Sequence, residues 1–221
     1  MRSSLEWELL RSLKEEEVEQ VLALGQRRQF TRREVLWHAG DRAETIHFIR
    51  RGRVAVRATT PDGETVTVIV LGPGAIAGLV GALATQPYAT TTGVAFEATE
   101  TVAIRLDSLA EVRLRVPAFD DALVRFLADR ILELADRLTE ALYIPAEARV
   151  LRRLLALCEV YDRGEGAILI PLTQEDFAEL AGVTRPTVNR VLQKEERRGA
   201  VKISRGSITI TDRESLASRA T

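Results

Sequence analysis

Hydrophobic and polar positions change rhythm along this chain, and each rhythm predicts a different architecture. At the start, Leu5, Leu9, Leu13, Val18, Val21 and Leu22 recur at helical spacing, with the acidic run Glu15, Glu16 and Glu17 on the solvent side. From Phe30 the pattern turns into short β-branched and apolar stretches, "VLWH", "IHFI", "RVAVRA", "TVTVIVL", "VAFEA" and "TVAIRL", divided by "AGD", "RRG", "TPDG" and "GPG". That punctuation predicts a many-stranded antiparallel domain. Its clearest local element is a hairpin at Thr60 to Gly63, where proline presets one turn angle and glycine accepts a positive one.

Beyond Pro117 the period becomes helical again. Val124, Leu127, Ile131, Leu134, Leu138 and Ala141 step by three and four, the spacing of an a/d seam, while Arg125, Asp129, Arg130, Glu133, Asp136 and Arg137 fill the other faces. A long helix follows, packed either on its own domain or, as the seam favours, against its twin, because a two-fold interface is self-complementary. Pro145 in "YIPAEA" ends it, since proline cannot continue the hydrogen-bond ladder. The expected division is an N-terminal β-domain with a leading helix over 1–116, a dimerisation helix over 117–144 and a C-terminal domain over 145–221.

Inside the C-terminal segment, "LTQEDFAELAGVTRPTVNRVL" holds a pair of short amphipathic patterns joined at Gly182. Thr173 with Asp176 gives an N-cap signature, and Phe177 and Leu180 point inward. After the glycine turn, Thr184 is placed to cap a further helix, Pro186 suits its first turn, and Val188, Val191 and Leu192 form a buried stripe. The opposite face leaves Arg185, Thr187, Asn189 and Arg190 free. This is helix-turn-helix grammar, and an arginine fork matches the O6/N7 pair of guanine in a major groove. "VKISRGSITIT" then reads as a hairpin wing around Ser204 to Ser207 that offers Arg205 to a phosphate.

Composition changes the picture only locally. The 221 residues carry a net charge of −1, which neither demands nor excludes a nucleic-acid partner, yet Gly182 to Gly206 holds seven basic residues against two acidic ones. A single cysteine, Cys158, excludes an intramolecular disulfide, and with only His38 and His47 beside it no four-ligand metal or iron–sulfur site assembles in one chain. Cys158 sits in a helix-like run that predicts core packing rather than a thiol sensor. There is no apolar run of the roughly 20 residues a membrane span needs, and no nucleophile–base–acid set or P-loop. A cytoplasmic protein without membrane, metal, cofactor or catalytic activity is expected.

The order of these parts resembles the CRP/FNR family of bacterial transcription regulators over nearly the full chain. "FTRREVLWHAGD" with "FIRRGRVAV" resembles the opening strands of its cyclic-nucleotide-binding-type β-barrel, the seam its dimerisation helix, and "LTQEDFAELAGVTRPTVNRVL" its helix-turn-helix. The resemblance implies an α+β protein: a jelly-roll barrel, a long dimer helix and a winged helix-turn-helix. It puts Arg185 and Arg190 on base-reading positions and Thr173, Thr184 and Thr187 on phosphate-facing ones, with Asn189 and Arg205 accessory, and it implies activation through RNA polymerase. Pro186 stands where the family's best-known pattern has a glutamate, so half-site preference rests on guanine contacts and DNA shape. In the cyclic-nucleotide stretch Gly78 fits, but Leu79 stands where a ribose-binding glutamate would be and Ala89-Thr90 where the phosphate-binding arginine pair would be. No arginine lies between Arg57 and Arg105, leaving Thr90, Thr91 and Thr92 as the polar groups of an effector pocket.

The combined expectation is a homodimer that reads a pseudo-palindromic duplex site with recognition helices about 34 Å apart, independently of cyclic AMP. The alternative is a regulator whose barrel binds a cyclic nucleotide or other effector and rotates the DNA-binding domains about Tyr143 to Pro145.

Overall fold

The computed structural model describes residues 6–63, 65–162, 164 and 166–220, and leaves the side chains of Arg137, Ala141 and Glu179 undescribed. Leu5 of the leading pattern and the Ala141 side chain of the seam therefore lie outside the described residues. Helix α1 spans Glu15–Ala23. Its first turn carries Glu15, Glu16 and Glu17 at the positive end of the helix dipole, and the Glu17 carboxylate accepts from the Lys14 amide at 2.8 Å. The helical spacing expected through Leu9 does not hold. Leu9 and Leu10 are buried, but in turns closed by the Leu10 amide on the Trp7 carbonyl and the Leu13 amide on the Leu10 carbonyl.

The β-domain follows as β1 (Gln26–Phe30), β2 (Val35–Trp37), β3 (Thr45–Arg51), β4 (Val54–Thr59), β5 (Thr65–Leu71), β6 (Ile76–Ala77), a short α2 (Leu79–Leu83), β7 (Thr92–Ala95), β8 (Thr99–Arg105) and α3 (Leu106–Arg115). The strands form two four-stranded sheets, ordered β1-β8-β3-β6 and β2-β7-β4-β5. At the β4–β5 hairpin the Gly63 amide bonds the Thr60 carbonyl at 2.9 Å, the turn that "TPDG" predicts. The strand pattern misses β1, whose Gln26, Arg27, Arg28 and Gln29 are exposed on a sheet edge and supply no apolar alternation. It also misses α3, whose Leu109 and Val112 are buried, and extends "VAFEA" past Ala95, where β7 ends.

The main core of this half gathers Trp7, Ile46, Phe48, Leu79, Ile104, Val112 and Phe119. Helix α4 (Ala118–Tyr143), 26 residues or about 39 Å long, joins that core through Phe119, Leu123 and Phe126, with Leu127 partly buried against it. Val124, Ile131, Leu134, Leu138 and Leu142 instead leave their side chains exposed, at 61% to 67%. Together they make an exposed apolar stripe along the helix.

The C-terminal part comprises α5 (Ala146–Tyr161), which opens at Pro145, then β9 (Ile168–Ile170), α6 (Gln174–Ala181), α7 (Arg185–Arg197), β10 (Val201–Ser204), β11 (Ser207–Ile210) and α8 (Arg213–Ala217). Contacts divide the chain into two compact units, one of Met1–Thr59 with Ile69–Glu133, the other of Thr60–Val68 with Leu134–Thr221. In the second unit Leu154 and Cys158 of α5, Phe177 of α6, Val188 and Leu192 of α7 and Ile208 of β11 are buried.

Candidate nucleic-acid interface

The entry to α6 is fixed by a reciprocal box. The Thr173 hydroxyl accepts the Asp176 amide at 3.1 Å and donates to the Asp176 carboxylate at 2.7 Å, while the Thr173 amide reaches the same carboxylate at 3.4 Å. Aspartate closes the box despite its shorter arm. Phe177 and Leu180 turn inward as the pattern requires. Gly182 then adopts φ +60°, a left-handed conformation that side chains with a Cβ resist, and the Val183 amide closes back onto the Ala178 carbonyl at 3.2 Å. The turn joins the end of α6 at Ala181 to the start of α7 at Arg185.

Thr184 stands at the N-cap of α7 in extended backbone, but its hydroxyl makes no capping bond; it pairs with the Thr187 hydroxyl at 3.0 Å. The expected side-chain cap is therefore absent, since the second hydroxyl competes for the first. Val188, Val191 and Leu192 bury the inner stripe, and Pro186 lies in the first turn, where no amide hydrogen bond is lost. Arg185 is exposed and has no ion-pair partner among the described residues. Arg190 is exposed but not free: its Nη1 lies 2.8 Å from Oε1 of Glu147, in the first turn of α5, and Lys194 reaches Oε2 of the same carboxylate at 3.4 Å. Thr187 and Asn189 are half-buried. The expectation of four free side chains thus fails at Thr187 and Arg190.

The wing forms as expected, with Ser204 opposite Ser207 and Arg205 exposed at the turn. A third strand joins the wing beyond what the sequence pattern predicts. β9 pairs with β11 through Ile168 and Ile170, a run too short to show alternation. Glu195, counted by sequence among the acids of the basic stretch, is buried at 1% exposure and held by Arg198 at 2.8 Å and Arg219 at 2.5 Å. Its charge offsets part of that of Arg198 and Arg219. The Arg152 guanidinium donates to the Ala220 carbonyl at 2.7 Å, so the segment after α8 is tied to α5 and α7 together.

In the β-domain Gly78 caps α2, while Leu79 packs into the main core at 3% exposure rather than lining open space. The Ala89 amide bonds the Asp41 carbonyl at 2.9 Å, and the Thr92 hydroxyl accepts the Ala39 amide at 3.0 Å. The Thr91 carbonyl accepts the Trp37 indole N–H at 2.7 Å, and Thr90 is exposed. The Trp37 ring lies over Gly93, where any Cβ would run into it, and stacks on His47 with ring centroids 6.0 Å apart. Burial, with the Arg28 charge beside it, pushes the His47 imidazole down to about 4; its Nδ1 lies 3.1 Å from the Thr101 hydroxyl. His38 is exposed. Cys158 is fully buried, and burial pushes its thiol up to about 11, the behaviour of a core residue.

A β-sheet domain, a long helix and a winged helix-turn-helix define a DNA-binding regulator built on a nucleotide-binding-type fold. Residues 27–115 match the cyclic nucleotide-binding domain and residues 148–219 the Crp-like helix-turn-helix domain. The chain is 31% identical over 205 residues to the cyclic AMP receptor protein of Thermus thermophilus, covering 92% of each. It is 28% identical over 194 residues to a CRP-like cAMP-activated global transcriptional regulator of Mycobacterium tuberculosis, covering 86% of each. The solved Thermus thermophilus catabolite activator protein superposes with a TM-score of 0.56 at 28% identity, over 96% of this chain and 97% of that one. The chain belongs to the CRP/FNR family of transcription regulators. Among its described residues no helix is long and apolar enough to cross a membrane.

Proposed function

We propose that the protein is a cytoplasmic homodimer that binds a pseudo-palindromic duplex site and regulates transcription there without needing cyclic AMP. The observation that carries the DNA reading is the outer face of α7, where Arg185 and Arg190 are exposed across from buried Val188, Val191 and Leu192. Arg185 and Arg190 read guanines; Thr173, Thr184, Thr187, Asn189 and Arg205 serve the backbone or support the readers. Residues 1–116 form the effector-type domain, 117–144 the dimer helix and 145–221 the DNA-binding domain. The occupant of the α4 stripe is a second copy of the same stripe, because Val124, Ile131, Leu134 and Leu138 continue one seam on one helix. Activation by contact with RNA polymerase rests on family membership.

Independence from cyclic AMP is supported by the chemistry around Gly78 and Thr90 to Thr92. Leu79 offers the ribose no acceptor and is already packed in the core, no arginine or lysine lies between Arg57 and Arg105, and the Ala89 amide and Thr92 hydroxyl have backbone partners. A phosphate buried there finds no cation on its own stretch of chain, and the basic residue across the sheet from Thr92 is Arg57 on β4. The names of the relatives favour the alternative, a regulator gated by a nucleotide in this domain. Salt titration of duplex binding tests the DNA-binding half: log K should fall linearly with log salt, with a slope of about −0.9 per phosphate neutralised. Failure to retain any duplex at low salt, with or without nucleotide, would end the reading.

A further inference from the structure

Glu147 has no role in the recognition pattern, yet its carboxylate holds two cations of the recognition helix at once. Oε1 lies 2.8 Å from Arg190 Nη1 and Oε2 lies 3.4 Å from Lys194 Nζ. Arg190 and Lys194 stand one helical turn apart on α7, so both face the start of α5, and the first turn of α5 is where a carboxylate is favoured by the helix dipole. The Arg190 side chain is 65% exposed and that of Glu147 41%, so the pair lies at the surface.

We propose that Glu147 is a positioning residue for base recognition, buttressing Arg190 so that its guanidinium meets guanine already oriented. This rests on the reading of Arg190 as a base-contacting residue. A guanidinium has five donors, and engagement of Nη1 leaves the Nε–Nη2 edge, itself a two-donor fork that matches guanine O6 and N7. Among the described residues Arg190 makes no other ion pair, so that edge is uncommitted. An exposed arginine otherwise loses side-chain freedom on docking, and a partner that orders it beforehand lowers that loss. Lys194 on the second oxygen keeps the carboxylate from swinging away and offsets its repulsion of DNA phosphates. Arg185 has no such partner among the described residues, so discrimination should be sharper at the base read by Arg190 than at the one read by Arg185.

The experiment compares wild type, Glu147→Gln, Arg190→Ala and the double variant in full-length protein, against a selected duplex and a set with single substitutions in one half-site. Thermal midpoints confirm that each variant is folded. Glu147→Gln should lower the preference for guanine at the Arg190 position by about 3- to 10-fold while binding to unrelated duplex stays level or rises, because a negative charge has left the DNA-facing side. In the Arg190→Ala background the same change should leave base preference unaltered, since the buttress acts only through Arg190. If Arg190→Ala itself leaves discrimination intact, the base reading fails and the inference fails with it. If Arg190→Ala flattens discrimination and Glu147→Gln does not, the inference alone is overturned. Tighter binding by Glu147→Gln with base preference kept would overturn it too, by showing the carboxylate to be a competitor for Arg190.

Discussion

Arg185 and Arg190 lie on one helix but in different electrostatic settings, one unpaired among the described residues and the other held by Glu147. Replacing either by alanine is expected to weaken specific binding by about 1–3 kcal/mol and to flatten preference at one guanine per half-site, whereas Arg205→Ala weakens all sequences alike. A base-by-base competition assay separates the two patterns; unchanged discrimination would remove these arginines from base reading. The residue types were legible in the sequence because the buried stripe of α7 fixes which side chains face outward. Glu147 was not, since its partner lies on another helix and only tertiary structure brings them together. His47 carries a separate expectation. Its folded-state value of about 4 lies below the ordinary value of 6.5, so the neutral ring contributes stability above about pH 6.5 that is lost as pH falls through about 4. The interval corresponds to about 3 kcal/mol. Denaturant midpoints between pH 7.5 and about pH 4.5 should fall more steeply for wild type than for His47→Gln; parallel slopes would show that other groups govern the acid limb.

Elements were legible where burial is one-sided. The long helix α4, the hairpin at Thr60 to Gly63 and both helices around Gly182 follow from apolar spacing and turn chemistry. β1 escaped because an exposed edge strand of Gln and Arg needs no apolar positions, and β9 because three residues are too few for a period. The helical spacing of Leu9 and Leu13 extends ahead of α1 into a stretch of turns, where Leu9 is buried without a helix. For α4 the expectation is that Leu134→Asp separates the dimer, since two carboxylates would face one another across the two-fold axis of a seam. Sedimentation at micromolar concentration checks it. A variant that still sediments as a dimer would show that Val124 to Leu138 do not form the interface.

For the whole molecule the question is what the β-domain does for the DNA-binding half. Family membership supplies a cyclic-nucleotide-type fold, but its ligand chemistry depends on a few side chains, and on the reading proposed above Leu79 and Ala89 stand where charged partners would be. Each missing charge-assisted hydrogen bond is worth about 1.5–3 kcal/mol, and losing two would weaken a micromolar ligand to about millimolar or worse. A ligand shifts a conformational equilibrium only by its differential affinity for the two states, so a nucleotide bound that weakly has little leverage over DNA binding. The most direct measurement is a titration of a labelled selected duplex with the purified protein, alone and at saturating cyclic AMP or cyclic GMP, with calorimetry on the same nucleotides. Specific, salt-dependent binding in the absence of nucleotide, changed less than about threefold by either one, is the expected result. A tight calorimetric site for cyclic AMP, together with DNA affinity that appears only when it is bound, would contradict it.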